Sequence, residues 1–215
     1  MDQSASSSAP HTRRIVLAGL AILGAAIAAF GPVGMVLRML SLPMRSPDWH
    51  VWVGTFNGVA LIAVAAFPLA ALLVWALARR RSAAGATSAW RRSLAEVGIV
   101  YGTVPWVWMI LLPGDEGGAV VSLVPLRDLV TMDTGQVVGN LLVFAALGFF
   151  TPLRFTALAS VPRILALGAA CSALVETAQY VLQLSRVSSV DDVLLNATGA
   201  ALAALASRPW WHTTR

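Results

Sequence analysis

The chain has 215 residues, of which 58% are hydrophobic and only 12% charged, with a net charge of +5. A soluble domain holds roughly a quarter charged residues, so the composition excludes an ordinary soluble globule and indicates a membrane protein crossing the bilayer several times. All 15 basic residues are Arg. They stand in short connections between apolar runs, where membrane topology accounts for them without a nucleic-acid partner. Cys171 is the single cysteine, which excludes an intrachain disulfide. His11, His50 and His212 lie too far apart for metal-ligand spacing, and no cofactor is indicated.

Residues 1–14 are polar and rich in small side chains, the pattern of a disordered tail. Apolar runs follow at residues 15–37, 51–78, 94–112, 137–153, 161–183 and 190–206. A span needs about 20 residues, and none of these runs alternates as a strand would. The expected fold class is therefore all-α, a polytopic transmembrane bundle of about six helices. The first run continues past Gly31 and Pro32 to Leu37, longer than the core of a cleavable signal peptide, and reads as a retained span. The basic stretch 79–93, expected as a cytoplasmic loop, separates two front spans (residues 15–78) from a four-helix rear domain (residues 94–207).

Charge sets the expected sidedness. With the N-terminus in the cytoplasm, Arg38, Arg45, Arg127 and Arg186 fall outside and the other Arg residues inside, as the positive-inside bias requires. Both termini are then cytoplasmic in a multi-pass protein of the cell membrane, with the lipid bilayer as its first partner. Asp48, Asp115, Glu116, Asp128, Asp133, Asp191 and Asp192 fall on the outer side. All eight Trp residues fall near span boundaries, as an interfacial belt predicts.

Glu176 is the only acid deep within a span, and an ionisable group there is a functional hypothesis by default. Ser172, Glu176, Gln179 and Gln183 recur at helical spacing along one stripe. At 1.5 Å per residue, Glu176 lies about 10 Å below Gln183, in the outer half of the membrane. Gln136 and Asn140 enter from the same side on the fourth span. Asp192 and Asn196, four apart, share a face of the sixth, and Arg186 stands in the outer connection, able to pair with Asp191, Asp192 or Glu176. The strongly polar groups of the rear domain thus converge at one level. Ser188 or Ser189 ahead of Asp191 and Asp192 is also a helix N-terminus signature, which makes Asp191 a capping residue. Asn140 and Asn196 can equally well bond neighbouring helices, and Gly199 with Ala203 is a close-packing pair.

Residues from Leu94 to Ala206, roughly half the chain, resemble the VanZ-like family of bacterial membrane proteins. Four elements carry the likeness in order: Leu123, Pro125 and Leu126; Asn140, Phe144, Gly148 and Phe149; Glu176 and Gln179; and Arg186, Asp191, Asp192, Asn196 and Gly199. Leu126 stands where the family usually has Phe, Ala146 where it has Pro, and Ala203 where it has the last Gly. The family is named for a protein linked to resistance to teicoplanin, a glycopeptide acting on the cell envelope. The resemblance implies a protein of the bacterial envelope.

The leading reading is an outward-facing polar pocket that binds or modifies an envelope component such as a lipid-linked precursor. Glu176 and Asp192 are its candidate catalytic or cation-binding groups. Asn140, Gln179, Arg186, Asp191 and Asn196 are its candidate ligand-binding residues, with Arg186 suited to an anionic group. Two alternatives stay open: a proton-coupled transporter with Glu176 as relay, and a non-catalytic scaffold whose polar residues lock the bundle. No metal site and no serine-nucleophile motif accompanies these residues.

Overall fold

The computed structural model describes residues 54–114 and 120–211. The expected tail at 1–14 and the first span at 15–37 lie outside the described residues. Thr55 starts the first described helix, α1 (Phe56–Ala83), its hydroxyl accepting the Gly58 N–H at 3.1 Å and so satisfying one amide that a helix start leaves free. The helix ends among Arg80 and Arg81, cations that complement the negative end of its dipole. Gly85, at φ 75°, then turns the chain, a conformation that costs glycine little. The next helix, α2 (Ala89–Ile110), returns antiparallel, and the Tyr101 hydroxyl donates to the Ala63 carbonyl of α1 at 2.7 Å. The basic stretch 79–93 is thus mostly helical, with only residues 84–88 connecting.

After α2 the chain forms a short strand, β1 (Val120–Ser122), and one turn of 3-10 helix (Asp128–Val130). The fourth apolar run is two helices rather than one, α3 (Thr134–Val143) and α4 (Ala145–Arg154), parted at Phe144, whose φ of −110° and ψ of 15° leave helical geometry. Then come α5 (Val161–Val181), the strand β2 (Val187–Ser189) and α6 (Val190–Ser207). The two strands pair in parallel, Val121 opposite Ser188, and tie the loop after α2 to the connection between α5 and α6. Among the described residues, five helical segments are long and apolar enough to cross a membrane, counting residues 134–154 as one. The all-α bundle read from the sequence is the fold observed, with the strand pair as its unforeseen addition.

The buried centre belongs to α6, which packs on α3, α4 and α5. Its small residues make this possible. A Cβ on Gly199 would strike the Leu141 carbonyl of α3, and a Cβ on Gly148 of α4 would strike the Ala200 carbonyl of α6. Helices in lipid gain no hydrophobic free energy by meeting one another, so close van der Waals approach has to hold them together. The close contact expected at Gly199 is therefore made, and its partner is α3. Outward-facing Leu69, Leu72, Leu174 and Val181 leave large apolar surfaces exposed, as helices facing lipid do.

Hydrogen bonds sort the helix ends into two groups. At one end, Glu96 on α2 forms salt bridges with Arg81 of α1 and Arg154 of α4, and Arg81 also donates to Ser93 at 2.9 Å. Arg91 reaches the Trp210 carbonyl just beyond α6 at 3.0 Å. This is the arginine end. The other, polar end gathers the close of α2, the start of α3, the close of α5 and the start of α6. Trp75, Trp90 and Trp108 are exposed, as interfacial rings would be. Trp211 departs from the expected belt: it is buried and its indole donates to Ser207 at 2.9 Å, because a ring drawn into the bundle needs a partner for its N–H. Trp49 and Trp52 lie outside the described residues.

The Gly199–Leu141 approach leads to a direct expectation. Gly199→Val overpacks a backbone contact and should destabilise the bundle by about 1–3 kcal/mol or more, read as a lower melting temperature of the detergent-purified protein. Unchanged melting would mean that α3 does not rest on α6 there.

Candidate functional site

The polar end is organised around the first turn of α6. Ser189, buried in the connection, caps that helix: its Oγ accepts the Asp191 N–H at 3.1 Å. The same hydroxyl donates to the Asp128 carboxylate at 2.6 Å, while the Ser189 backbone N–H donates to Oε2 of Glu176 at 3.1 Å. Ser188 donates to the Glu176 carbonyl at 3.1 Å. One residue thus links the 3-10 turn, α5 and α6. The Ser122 and Ser189 hydroxyls hold the Asp128 carboxyl below its ordinary value of 3.8, helped by Arg127.

Asp191 does not cap its own helix through its side chain. It is 1% exposed, and its carboxylate accepts three backbone amides from the loop before α3: Leu126 at 2.5 Å, Asp128 at 2.9 Å and Leu129 at 3.0 Å. Charge-assisted bonds of this kind are strong, and they hold Leu126 at φ 65°, a left-handed geometry unusual for a bulky residue. Asp191 therefore shapes the loop and does not line the cleft described below. Asp133 and Gln136 form a reciprocal capping box at the start of α3, with Asp133 accepting from Gly135 at 2.6 Å and Gln136 at 3.0 Å. Gln136 thus serves its own helix first.

Between α2, α3, α5 and α6 lies a cleft of about 940 Å³. Asn140, Glu176, Gln179, Arg186, Asp192 and Asn196 all line it. Of the seven candidates read from the sequence, six meet here and Asp191 stands behind the wall. Asn140 donates its side-chain amide to Asp192, linking α3 to α6. Asn196 donates to Ser172 at 2.8 Å, linking α6 to α5. Gln179 donates to the Ile110 carbonyl at 2.7 Å.

Arg186 reaches a different partner from those expected. Within the described residues it forms no salt bridge with Asp191, Asp192 or Glu176. Its Nη1 instead donates to the Ile110 and Leu112 carbonyls at 3.0 and 3.2 Å. These carbonyls close α2, where a helix leaves acceptors unsatisfied and the dipole favours a cation, so the guanidinium is drawn to them.

The cleft ends in a tight layer. Below the Ser172–Asn196 bond, Ile164, Ala200 and Ala204 are fully buried and Gly168 lies against Ala197 and Ala200. On the wall, Gly139 is different: a Cβ built there meets nothing within 4 Å. A Cβ added at this position would meet open space.

Sequence reading missed Ser189 and Asp128 as members of this network, along with Trp106 and Gly139 of the cleft wall. The serine–acid signature before α6 was visible, but its link to residue 128 spans 61 positions of chain and leaves no local pattern.

The model of the VanZ/LLP1 family matches residues 98–211, a little over half of the chain. The match covers most of α2 and the whole of α3, α4, α5 and α6. Comparison with curated proteins and with solved structures returns no match.

Two outcomes follow from this geometry. Asp191→Ala removes the acceptor of three amides and should make the 123–130 loop newly sensitive to limited proteolysis, while helix content is kept; a wild-type digestion pattern would contradict the loop-holding role. For Asp128, whose folded-state value is depressed, the stabilising contribution is complete above 3.8 and is lost as pH falls through the lower folded value. The protection factors of the amides of residues 126–129, that is, exchange corrected for its intrinsic pH dependence, should therefore be unchanged between neutral pH and about 5 and fall only in stronger acid.

Proposed function

The chain belongs to the VanZ/LLP1 family, and from that premise and the cleft we propose that it binds the head group of an amphipathic component of the bacterial envelope, such as a lipid-linked precursor, at the polar end. That end faces the cell exterior in this reading. Eight described Arg residues lie at the other end, against Arg127 and Arg186 at this one, and the cytoplasmic side collects the larger share. The carrying observation is the cleft itself. It is a concave site with a few convergent polar groups, set in a bundle whose outer surface is apolar. An amphiphile can lodge its polar part there while its chains stay in lipid.

Glu176 and Asp192 are the charged groups of the floor, and Asn140, Gln179 and Asn196 position the ligand and one another. Arg186 fixes the end of α2 beside them. The tight layer beneath favours a blind binding cleft over a proton-coupled transporter, which needs water access to Glu176 from both faces. The scaffold alternative is separated from binding by Gly139. A Cβ at Gly139 meets nothing within 4 Å and the residue lines the cleft, so a larger side chain there should block the cleft and remove function while folding stays intact.

The family resemblance supplies the phenotype to read. In a glycopeptide-susceptible host, expression of the wild-type chain should raise the teicoplanin concentration needed for inhibition. Glu176→Gln and Gly139→Leu, at matched membrane abundance and melting temperature, should not. If both variants protect as well as wild type, the cleft is not the working site.

A further inference from the structure

The three carboxamides of the cleft floor share one orientation. Asn140 gives its N–H to Asp192, Gln179 to the Ile110 carbonyl, and Asn196 to the Ser172 hydroxyl. Each of these bonds uses one N–H of its amide. The other ends of two of them are bare: Oε1 of Gln179 and Oδ1 of Asn196 accept no hydrogen bond, although the residues are only 6% and 2% exposed. Buried acceptors without partners are rare in folded proteins and ask for an explanation.

The carboxylates tell the same story. Glu176 engages Oε2 with Ser189, and Asp192 engages Oδ1 with Asn140, so each keeps a second oxygen. The two acids line the same cleft with Arg186, and Asp128 and Asp133 also line it. Arg186 has two carbonyls on its Nη1. The floor therefore offers oxygen acceptors: two bare carbonyls and the second oxygens of two carboxylates. A phosphate or carboxylate, having acceptors only, would leave the bare carbonyl oxygens unpaired, whereas an ammonium can donate to them.

Resting on the envelope-ligand reading above, we propose that the floor of the cleft receives a positively charged group, held between Glu176 and Asp192 with the free carbonyl oxygens of Gln179 and Asn196. A protonated amine on an amphiphile and a hard metal ion share this chemistry, since both seek oxygen acceptors. The amine fits better. Among the described residues no three His, Cys, Asp or Glu side chains gather as a metal site, and the cleft holds far more than a lone ion. The ligand class is thus narrowed from any envelope head group to one carrying an ammonium.

The test uses the full chain in nanodiscs of zwitterionic phosphatidylcholine at neutral pH. The probes are dodecylamine, dodecyl phosphate and dodecyl glucoside, of equal chain length, and separately NaCl, MgCl₂ and CaCl₂. Binding is read by thermal shift and by calorimetry. Dodecylamine should bind saturably and the phosphate at least about tenfold more weakly, since charge-assisted bonds are worth that much. Glu176→Gln and Asp192→Asn each keep an oxygen for the Ser189 N–H and the Asn140 amide, so folding should persist while amine binding falls by about tenfold or more. A response to a metal salt that competes with the amine, lost in the same variants, supports the cationic floor and names an ion as its source. Phosphate binding as tight as the amine overturns the proposal. Glucoside binding that Gly139→Leu abolishes, with no amine preference, overturns the charge assignment but leaves the cleft standing. No probe bound, with no effect of Gly139→Leu on the teicoplanin phenotype, removes both.

Discussion

Inside a bilayer a polar group finds its partner in the protein or goes without one, and the first turn of α6 is where this chain meets that constraint. Ser189 caps the helix, holds Asp128 and gives its backbone amide to Glu176. Asp191, one residue into the helix from Val190, spends its carboxylate on three loop amides. Remove this cluster and α5, α6, the strand pair and the loop before α3 lose the bonds that set their mutual positions. The cleft exists because the polarity is arranged on one side of this turn and its satisfaction on the other.

The two ends of the bundle solve the same problem with opposite charges. At the arginine end a single carboxylate, Glu96, is shared by two guanidinium groups from different helices. Those side chains are about a third exposed, where solvent weakens such pairs, so the cluster joins α1 and α4 to α2 more by geometry than by strength. At the polar end the acids outnumber the two arginines, Arg127 and Arg186, and Asp128, Asp133, Glu176 and Asp192 line the cleft beside Arg186. Two buried carbonyl oxygens, of Gln179 and Asn196, stay bare there.

Between the ends, small residues decide how closely the helices meet. Gly148 and Gly199 bring α4 and α3 within backbone contact of α6, and the break at Phe144 lets two segments of one apolar run rest on neighbouring residues of that helix. The resulting layer closes the cleft from below. Packing and the cleft are therefore linked: the helix that carries Asp192 and Asn196 into the cleft is the one on which α3, α4 and α5 pack.

Composition and hydropathy by themselves determined the all-α membrane bundle and, among the described residues, placed the apolar helices to within about five residues, because a run of about 20 apolar residues has one stable form in lipid. Helical spacing also put Glu176 with Gln179, and Asp192 with Asn196, on shared faces, since offsets of three and four are local geometry. Tertiary structure alone decided the rest. Arg186 turned to the carbonyls closing α2 instead of an acid, Asp191 turned to a loop more than 60 residues earlier, and one span became α3 and α4. It also set the orientation of each carboxamide. Which end of an amide meets a partner depends on what another helix presents across the gap, and periodicity along a single helix carries no record of that.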